Sequence, residues 1–497
     1  MNKSPATTTE SHVPSRGVDP ARVRVGADIV ELITSGMYVA PITVFREYVQ
    51  NAADAIDDSR AKGLRADPGR VDINIDHSSR CVTIRDNGSG VPADQVEETL
   101  LAIGGSPKRG TLARGFRGVG RLSGLAYCRE LVFATKAPGE DVETIVRWDA
   151  IALRNGIAAS GSEGDIREVI ASAVEIETRA HPDKAEHFFE VQLRGVIRHR
   201  LDVLINEHAI SHYLSQVAPL PFSQEFSFGA QIAERLAEAG QPLAPIELIV
   251  AGQRVERPYR DRLTQPGTDK KIELREIEFF ELLDVDGHVG AVGWLAHHDY
   301  VRSISTSMAV RGLRARVGDV QVGESDLFDS SFREPRFNGW TIGEVHILDR
   351  RIVPNGRRDN FDVSHHSNNL LVQLGPITAG ISQRCRTSSV ARTAAAIVRN
   401  TIADAEQLIS QGSPDTLSVS RALGAVGRSQ HKLRRIAEED TREALAQELE
   451  RVRAALSSLR PTKSAGIIAA DQAVDLVNKI ITNRDQAKKL IQALRQL

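Results

Sequence analysis

Cysteine is scarce in this sequence. Cys81, Cys128 and Cys385 are the only three among 497 residues, they lie far apart, and no C-x-x-C pair occurs. A disulfide framework and a thiolate zinc site are therefore excluded as organising features. A chain with so few thiols suits a reducing compartment, so we expect a cytoplasmic location.

Long apolar runs and an excess of either charge are also missing. No uninterrupted apolar segment approaches the roughly 18 residues of a membrane span, and the N-terminus has no apolar core of signal-peptide length, so we expect no membrane association. Lys and Arg total 63 and Asp and Glu total 65, a formal net charge of -2. This balance disfavours a globally basic nucleic-acid-binding protein.

What remains is the composition of a folded protein, with 41% hydrophobic and 26% charged residues and a length that suits about three domains. Residues 1–22, rich in Ser, Thr and Pro, are predicted to be disordered. Residues 23–204 and 205–375 each mix helical and strand patterns, whereas residues 376–497 are almost purely helical. We therefore predict an α+β fold with two mixed domains followed by a helical region.

Hydrophobic periodicity also locates individual elements. In the first domain the predicted helices are 27–35, 41–61 and 94–103, and the predicted strands are 71–76, 81–85, 130–135 and 189–194. In the second domain the predicted strands are 246–251, 290–296, 307–310 and 343–348.

The helical region contains a heptad seam. Its apolar residues are spaced four, three, four and three apart, and they are Leu445, Leu449, Val452, Leu456 and Leu459. Such a seam is typical of helices that pack side by side. It indicates either a helical hairpin that packs on itself or a dimerisation element.

The first segment with chemical potential is the predicted helix 41–61. Glu47, Asn51 and Asp54 are four and three residues apart, so they share one helix face, and most of the remaining face is apolar. An amide oxygen such as that of Asn51 is a suitable ligand for Mg²⁺, and a nearby carboxylate can accept a proton from an attacking water. The alternative is a solvated helix face.

The second segment, DNGSG, follows the predicted strand 81–85 directly. It contains Asp86, Gly88 and Gly90. A carboxylate at a strand end can accept a hydrogen bond from an exocyclic amine, and the glycines let the backbone approach a ligand closely. An ordinary turn with D-N-G chemistry is the alternative.

The third segment is a glycine-dense stretch that opens a predicted helix near residue 119. Backbone N–H groups at a helix start bind phosphate, and Lys108 with Arg109 adds positive charge. Neither the G-x-x-x-x-G-K-[ST] motif nor a dinucleotide fingerprint is present. The residues of interest in the second half of the stretch are Gly115, Gly118, Val119 and Gly120.

Together, in this order, the three segments resemble the GHKL ATPases, which include gyrase B, the ninety-kilodalton heat-shock chaperones, histidine kinases and MutL. The E-x-x-x-N-x-x-D helix resembles the N box of that family, and D-x-G-x-G its first glycine box. The segments IGGSPKRGT and GFRGVGRLS resemble the lid of the chaperone branch. MORC-type ATPases share the DNGSG motif, so the sequence resembles that family nearly as well.

This resemblance implies a Bergerat fold, with helices on an antiparallel sheet, that binds ATP and Mg²⁺. It implies that Glu47 is the general base, that Asn51 ligates Mg²⁺, and that Asp86 receives the adenine amine. Gly88 and Gly90 would lie along the base, with Asp54 supporting the adenine side of the pocket. The phosphates would be held by Lys108 and by the backbone from Gly115 to Gly120.

The second domain resembles the chaperone middle domain at IVPNGRRDNF, where Arg358 falls on the arginine that reaches the γ-phosphate. A surface arginine is the alternative. One family feature is missing, because residues 187–191 offer no Thr where an adenine-contacting Thr is common.

The resulting hypothesis is a slow, chaperone-like ATPase that acts as a homodimer on an unidentified protein client. A MORC- or MutL-like DNA clamp is the alternative, supported only by the basic group Arg311, Arg314 and Arg316, for which a solvated face is the preferred interpretation. A non-hydrolysing scaffold is a further alternative, and a histidine kinase is disfavoured because a large domain follows the ATP domain.

Overall fold

The structure is a computed structural model that describes residues 16–19, 24–25, 40–64, 68–103, 120–160, 166–198, 201–267, 271–412, 414–459, 477 and 484–494. The helices are α1 (Thr43–Ala61), α2 (Val96–Leu101), α3 (Ala150–Ser160), α4 (Ile166–Ser172), α5 (Glu207–Val217), α6 (Gly229–Glu238), α7 (His365–Ser410), α8 (Thr416–Leu433), α9 (Glu439–Ser458) and α10 (Arg484–Leu494). None of those described helices combines the length and the hydropathy that crossing a bilayer requires.

The strands are β1 (Arg16–Gly17), β2 (Arg24–Val25), β3 (Arg70–Asp76), β4 (Cys81–Asp86), β5 (Ala102–Ile103), β6 (Glu130–Lys136), β7 (Val142–Asp149), β8 (Val174–Ala180), β9 (Phe188–Arg194), β10 (Glu247–Val250), β11 (Gln253–Val255), β12 (Arg262–Thr264), β13 (Lys271–Glu273), β14 (Glu276–Leu283), β15 (Val289–His297), β16 (Gly312–Val317), β17 (Val320–Val322) and β18 (Ile342–Ile347). The chain divides into two compact units, Met1–Cys385 and Arg386–Leu497.

The first unit contains a sheet in the order β1-β8-β7-β6-β9-β4-β3-β10-β11. Its neighbours are antiparallel except for the parallel pair β3 and β10. Helix α1 packs on this sheet because its apolar residues recur every three or four positions and merge with apolar residues of β3 and β4 in one core. The α+β fold with an antiparallel sheet is confirmed, as are the predicted helices 41–61 and 94–103, which correspond to α1 and α2, while the predicted helix 27–35 lies outside the described residues.

The alternation of side chains along β4 determines which side of the sheet its last residue, Asp86, faces. Val82 and Ile84 are buried in the core beneath α1, and Asp86 is the next residue of the same parity. Since alternate side chains of a strand face the same side of the sheet, Asp86 lies on the helical side. The predicted strands 71–76 and 81–85 are confirmed as β3 and β4, which form an antiparallel hairpin. The hairpin places the Asp86 carboxylate beneath the C-terminal half of α1.

One predicted strand of the second domain is present but belongs to the first sheet, and another is not a strand. The predicted strand 246–251 is confirmed as β10, which pairs in parallel with β3 and so extends the first sheet past residue 204. Residues 307–310 form turns rather than a strand, and the strand begins instead at Gly312. Val310 is nevertheless buried, which explains why this turn has the apolar pattern of a strand.

The second sheet has the order β14-β15-β18-β16-β17. Here the expectation of a solvated face for the arginines of β16 is wrong, because Arg314 and Arg316 are 2% and 1% exposed. Arg316 Nε lies 2.5 Å from Glu344 Oε1 on the neighbouring strand β18. A third arginine, Arg257, bonds both Glu344 and Asp319.

This buried ion cluster ties the end of α5 to the second sheet. Arg316 Nη2 donates to the carbonyl of Gln216 at 2.8 Å, and Arg257 Nε donates to the carbonyl of Leu220 at 2.7 Å. Burial opposes the charge of Glu344, but Arg316 and Arg257 outweigh it and hold the pKa of Glu344 well below its ordinary value.

Replacing Glu344 by Gln leaves two buried guanidinium groups with less than their full counter-charge. We expect the free energy of unfolding to fall by about 3–5 kcal/mol, the usual cost of breaking a buried ion pair. Chemical denaturation measures this change in the free energy of unfolding. Glu273→Gln is the control, because its partner Arg262 is largely exposed. Equal small effects in both variants would contradict this assignment.

The second unit is built from helices. The core packs Leu445, Leu449, Val452 and Leu456 of α9 against apolar residues of α7 and α8, such as Val398 and Val426. The predicted heptad seam is therefore occupied within its own chain, as the helical-hairpin interpretation requires. Its possible role in dimerisation stays a prediction.

Candidate nucleotide-binding site

The polar stripe predicted on the first helix is present on α1. Glu47, Asn51 and Asp54 are partly exposed, whereas Val44, Tyr48 and most other residues of this helix are buried. The Glu47 side chain is 13% exposed. The helix thus presents a carboxylate, an amide and a second carboxylate in a row.

Asp86 lies at the end of β4, and its carboxyl group is on the side of the sheet that α1 covers. Its side chain is only 5% exposed, and its Oδ1 accepts a hydrogen bond from the backbone N–H of Gly88 at 2.8 Å. Burial raises the pKa of Asp86 to about 7, against the opposing effect of this hydrogen bond. A carboxyl group that titrates near neutrality and retains acceptor capacity is poised to receive a polar ligand.

The two glycines after Asp86 let the backbone pass close to its neighbours. A Cβ atom at Gly88 would lie 2.7 Å from the Ala55 side chain on α1. Gly90 has φ +63, and a Cβ atom there would lie 2.1 Å from the carbonyl oxygen of Lys136. Both positions therefore require glycine for packing within the protein.

A threonine that we did not predict secures this turn. Thr135 lies on β6, and its hydroxyl accepts from the N–H of Val91 at 2.8 Å and donates to the carbonyl of Phe188 at 3.1 Å. Residues 187–191 have no Thr, and the hydroxyl comes from the adjacent strand instead. The sequence could not show this, because the strand pairing brings residues 135 and 188 together.

Part of the predicted lid lies outside the described residues, namely Lys108, Arg109, Gly115, Gly118 and Val119. The structure does describe Gly120, which begins a 3₁₀ helix, Gly120–Ala126, where we predicted a helix near residue 119. A Cβ atom at Gly120 would lie 2.5 Å from Glu47 Oε2, so this backbone abuts the carboxylate. The N–H of Gly124 donates to the hydroxyl of Tyr48 at 2.9 Å and fixes the 3₁₀ helix on α1.

The loop that carries Arg358 meets α1 as well. Arg46 Nη2 donates to the carbonyl of Arg357 at 2.8 Å, while Arg46 Nε lies 3.6 Å from Glu47 Oε1. The carbonyl of Arg358 accepts from the N–H of Gly323 at 2.8 Å. Arg358 is 6% exposed, which differs from the surface arginine we considered as the alternative. Arg46 thus joins the predicted base to the loop of the predicted arginine, a link that sequence reasoning missed.

Other polar groups have partners within the protein. His297 Nδ1 lies 2.6 Å from the hydroxyl of Tyr300, and His297 Nε2 lies 2.7 Å from Glu278 Oε2. Among the described residues one group has metal-ligand spacing, Asp284, Asp286 and His288. Arg351 pairs with both of these aspartates, so their charge is already compensated.

A cavity of about 470 Å³ opens beside the Asp86–Asn87 turn. Its wall includes Arg70, Arg85 and Phe188, and the Arg85 guanidinium lies 3.6 Å from the centre of the Phe188 ring. The wall contains none of the three polar residues of α1. This cavity is therefore distinct from the polar stripe.

Comparison with known proteins agrees with this geometry. Residues 40–179 match the family model described as "Histidine kinase-, DNA gyrase B-, and HSP90-like ATPase". The chaperone protein HtpG of Alkalilimnicola ehrlichii is 25% identical over 193 residues, which are 35% of this chain and 29% of the relative. HtpG of Burkholderia ambifaria is 28% identical over 141 residues, which are 24% of this chain and 22% of the relative.

The chain therefore spans less than a third of the length of these curated relatives. The matched segment nevertheless contains α1, the β3–β4 hairpin and Asp86, which are the elements that build the site. Residues 40–179 are therefore similar to an ATPase domain of the GHKL type, and within this domain to the HtpG chaperones.

Proposed function

We propose that the protein binds ATP at the polar stripe of α1 and hydrolyses it to ADP and phosphate. The observation that carries this proposal is the arrangement of Glu47 and Asn51 on an otherwise buried helix, with the carboxyl group of Asp86 below its C-terminal half. A polar row of this kind is costly in a packed layer unless it meets a ligand or water.

In this proposal Asp86 accepts a hydrogen bond from the adenine amine, and Asp54 supports the adenine side. Gly88 and Gly90 shape the turn beneath the base, and Lys108 with the backbone of Gly115, Gly118, Val119 and Gly120 holds the phosphates. Of the residues proposed to hold the phosphates, the structure describes Gly120, and its backbone lies against Glu47.

The donor set also suits Mg²⁺. Asn51 offers an amide oxygen that is partly exposed, one helical turn from a carboxylate, and hard oxygen ligands of this type are those that Mg²⁺ prefers. Bound Mg²⁺ would neutralise charge on the phosphates. Glu47 would accept the proton of the attacking water, since its carboxylate lies one helical turn from Asn51 on the same face of α1.

Hydrolysis in this proposal depends on docking of the second domain. Arg46 bonds the loop of Arg358, so the base and the arginine are positioned by one side chain. An arginine from another domain can compensate charge that develops on the transferred phosphoryl group. ATP binding and release would thus act as a conformational switch. We propose that this switch serves a chaperone-like role in a homodimer, because the matched relatives are HtpG chaperones.

Two of the three arginines on which the DNA-clamp alternative depends are not at the surface. Arg314 and Arg316 are buried and engaged with Gln321 and Glu344, and neither is available to a phosphate backbone. A non-hydrolysing scaffold is the second candidate, and measurements of turnover separate it from the proposal.

Calorimetric titration with ATP and Mg²⁺, followed by phosphate-release kinetics, tests the proposal. We expect saturable binding and slow turnover. Light scattering in ADP and in a non-hydrolysable ATP analogue tests the dimer. Binding without turnover would favour the scaffold, and the absence of adenine-nucleotide uptake would refute the proposed function.

Nucleotide binding should release protons near neutral pH. Asp86 must be ionised to accept from the amine, and burial raises its pKa to about 7 in the free protein. Binding therefore lowers that pKa and expels a fraction of a proton at pH 6.5. Calorimetry in buffers of different ionisation enthalpy measures the release.

Asp86→Asn is the matched variant. It should lose the proton release and bind ATP about tenfold to a hundredfold more weakly, the range for one hydrogen bond to a charged group. Its stability should also change with pH in a defined direction. Because the folded-state pKa of Asp86 is raised, wild-type stability falls as pH rises from about 4 to 7, and the variant should lack this slope. A binding enthalpy independent of buffer would contradict the role of Asp86.

A further inference from the structure

The hydroxyl group of Tyr213 is buried without a hydrogen-bond partner among the described residues. Tyr213 lies on α5, and its ring packs against the core of the first sheet. A buried polar group that lacks a partner destabilises the folded protein. Since native structures retain few such groups, one that remains next to a candidate site indicates a partner in another state of the protein.

Helix α5 places this hydroxyl at the meeting point of the two domains. The helix lies against α1, with Ile210 and Leu214 buried in the shared core, and it also lies against β17. Strand β17 leads directly to Gly323, whose N–H bonds the carbonyl of Arg358. Tyr213 therefore stands on the element that touches both the helix of Glu47 and the strand that holds the arginine loop.

Three charged groups act electrostatically on the Tyr213 hydroxyl. Burial raises the pKa of Tyr213 to about 12, Arg46 opposes this shift, and Glu324 and Glu47 add to it. The phenol consequently stays protonated at neutral pH and is available as a donor. Its possible acceptors are the carboxylates of Glu47 and Glu324.

Glu47 is the acceptor for which the described residues show no donor at hydrogen-bond distance. Within the described residues its ion-pair partner is Arg46, whose Nε lies 3.6 Å from Oε1, beyond hydrogen-bond length. The guanidinium of Arg46 is turned towards the carbonyls of Arg357 and Arg358 instead. When the second domain holds Arg46 in this way, the carboxylate needs another donor to keep its orientation.

We propose that Tyr213 is a positioning residue for Glu47, donating its O–H to the carboxylate when the nucleotide site closes. This inference rests on the proposed function. The hydrogen bond orients the general base towards the attacking water and favours its ionised form. Tyr213 itself touches neither the nucleotide nor the water.

Tyr213→Phe tests this role because it removes only the hydroxyl. We expect kcat to fall about tenfold, the size of one hydrogen bond to a charged group, with the KM for ATP unchanged. Loss of a donor to a carboxylate raises the pKa of that carboxylate, so the acid limb of the kcat profile should move to higher pH. Thermal stability should stay the same or rise, since an unpartnered hydroxyl is lost.

Tyr259→Phe is the matched control. The hydroxyl of Tyr259 bonds Glu344 at 3.0 Å inside the buried ion cluster, so its loss should lower stability without moving the acid limb. A Tyr213→Phe protein with wild-type kcat and an unmoved acid limb would overturn the inference while leaving the proposed function intact. A wild-type protein without ATP turnover would instead overturn the proposed function, so the two failures are distinguishable.

Discussion

A Glu47→Gln protein is expected to lose ATP turnover by about 10²–10⁴-fold, the usual contribution of a general base, while it still binds the nucleotide. Glutamine has the shape of glutamate and can still accept a hydrogen bond, but it cannot take a proton from water. The backbone of Gly120 abuts the Glu47 carboxylate, so a near-isosteric replacement leaves that packing unchanged.

Single-turnover phosphate release and calorimetric affinity together measure this effect. Asp58→Asn is a suitable control, because it changes a carboxylate on the same helix that pairs with Lys62 at the surface. We expect the control to hydrolyse ATP at the wild-type rate. Undiminished turnover in Glu47→Gln would remove Glu47 as the base, whereas loss of both binding and turnover would indicate a structural role.

The second large effect is expected from Arg358→Ala, which should slow hydrolysis about 10³-fold or more with little change in nucleotide affinity. The residue is buried in the loop that Arg46 and Gly323 bond through its carbonyl. Those backbone bonds survive the substitution, so the loop can still dock while the guanidinium is missing. The charge that develops on the phosphoryl group then lacks its partner.

Arg357→Ala offers a closely matched control. The neighbouring side chain is exposed, and its carbonyl, which bonds Arg46 Nη2, is retained in the variant. We therefore expect near-normal turnover from Arg357→Ala. If both variants slowed hydrolysis equally, the loop would matter as a whole and the guanidinium of Arg358 would have no special role. Equal losses of affinity and rate in Arg358→Ala would likewise argue against it.

Local patterns were sufficient for the elements that form the candidate site. The spacing of Val44, Tyr48 and their apolar neighbours predicts α1 and the face that carries Glu47, because a helix repeats every 3.6 residues. Alternation along β4 likewise predicts that Asp86 shares a side with Ile84. These inferences depend only on neighbours in sequence.

Contacts between distant segments could not be predicted. The solvated-face interpretation of Arg316 was wrong because its partner Glu344 lies 28 residues away on a neighbouring strand. Arg46 meets the loop of Arg358 across 312 residues of sequence. Tyr213 stands near both only because α5 packs between their elements. For the same reason the sequence assigned β10 to the wrong sheet, since a parallel pairing with β3 leaves no local signature.

That parallel pairing gives the first sheet a mechanical connection to the second. Strand β3 is bonded on one side to β4, which ends at Asp86, and on the other to β10. Two residues beyond β11 the chain reaches Arg257, which is anchored to Glu344 in the second sheet. A displacement of the β3–β4 hairpin would consequently be transmitted through β10 and β11 to Arg257 and its ion pair with Glu344. The connection from Asp86 to the second sheet thus runs through hydrogen-bonded strands.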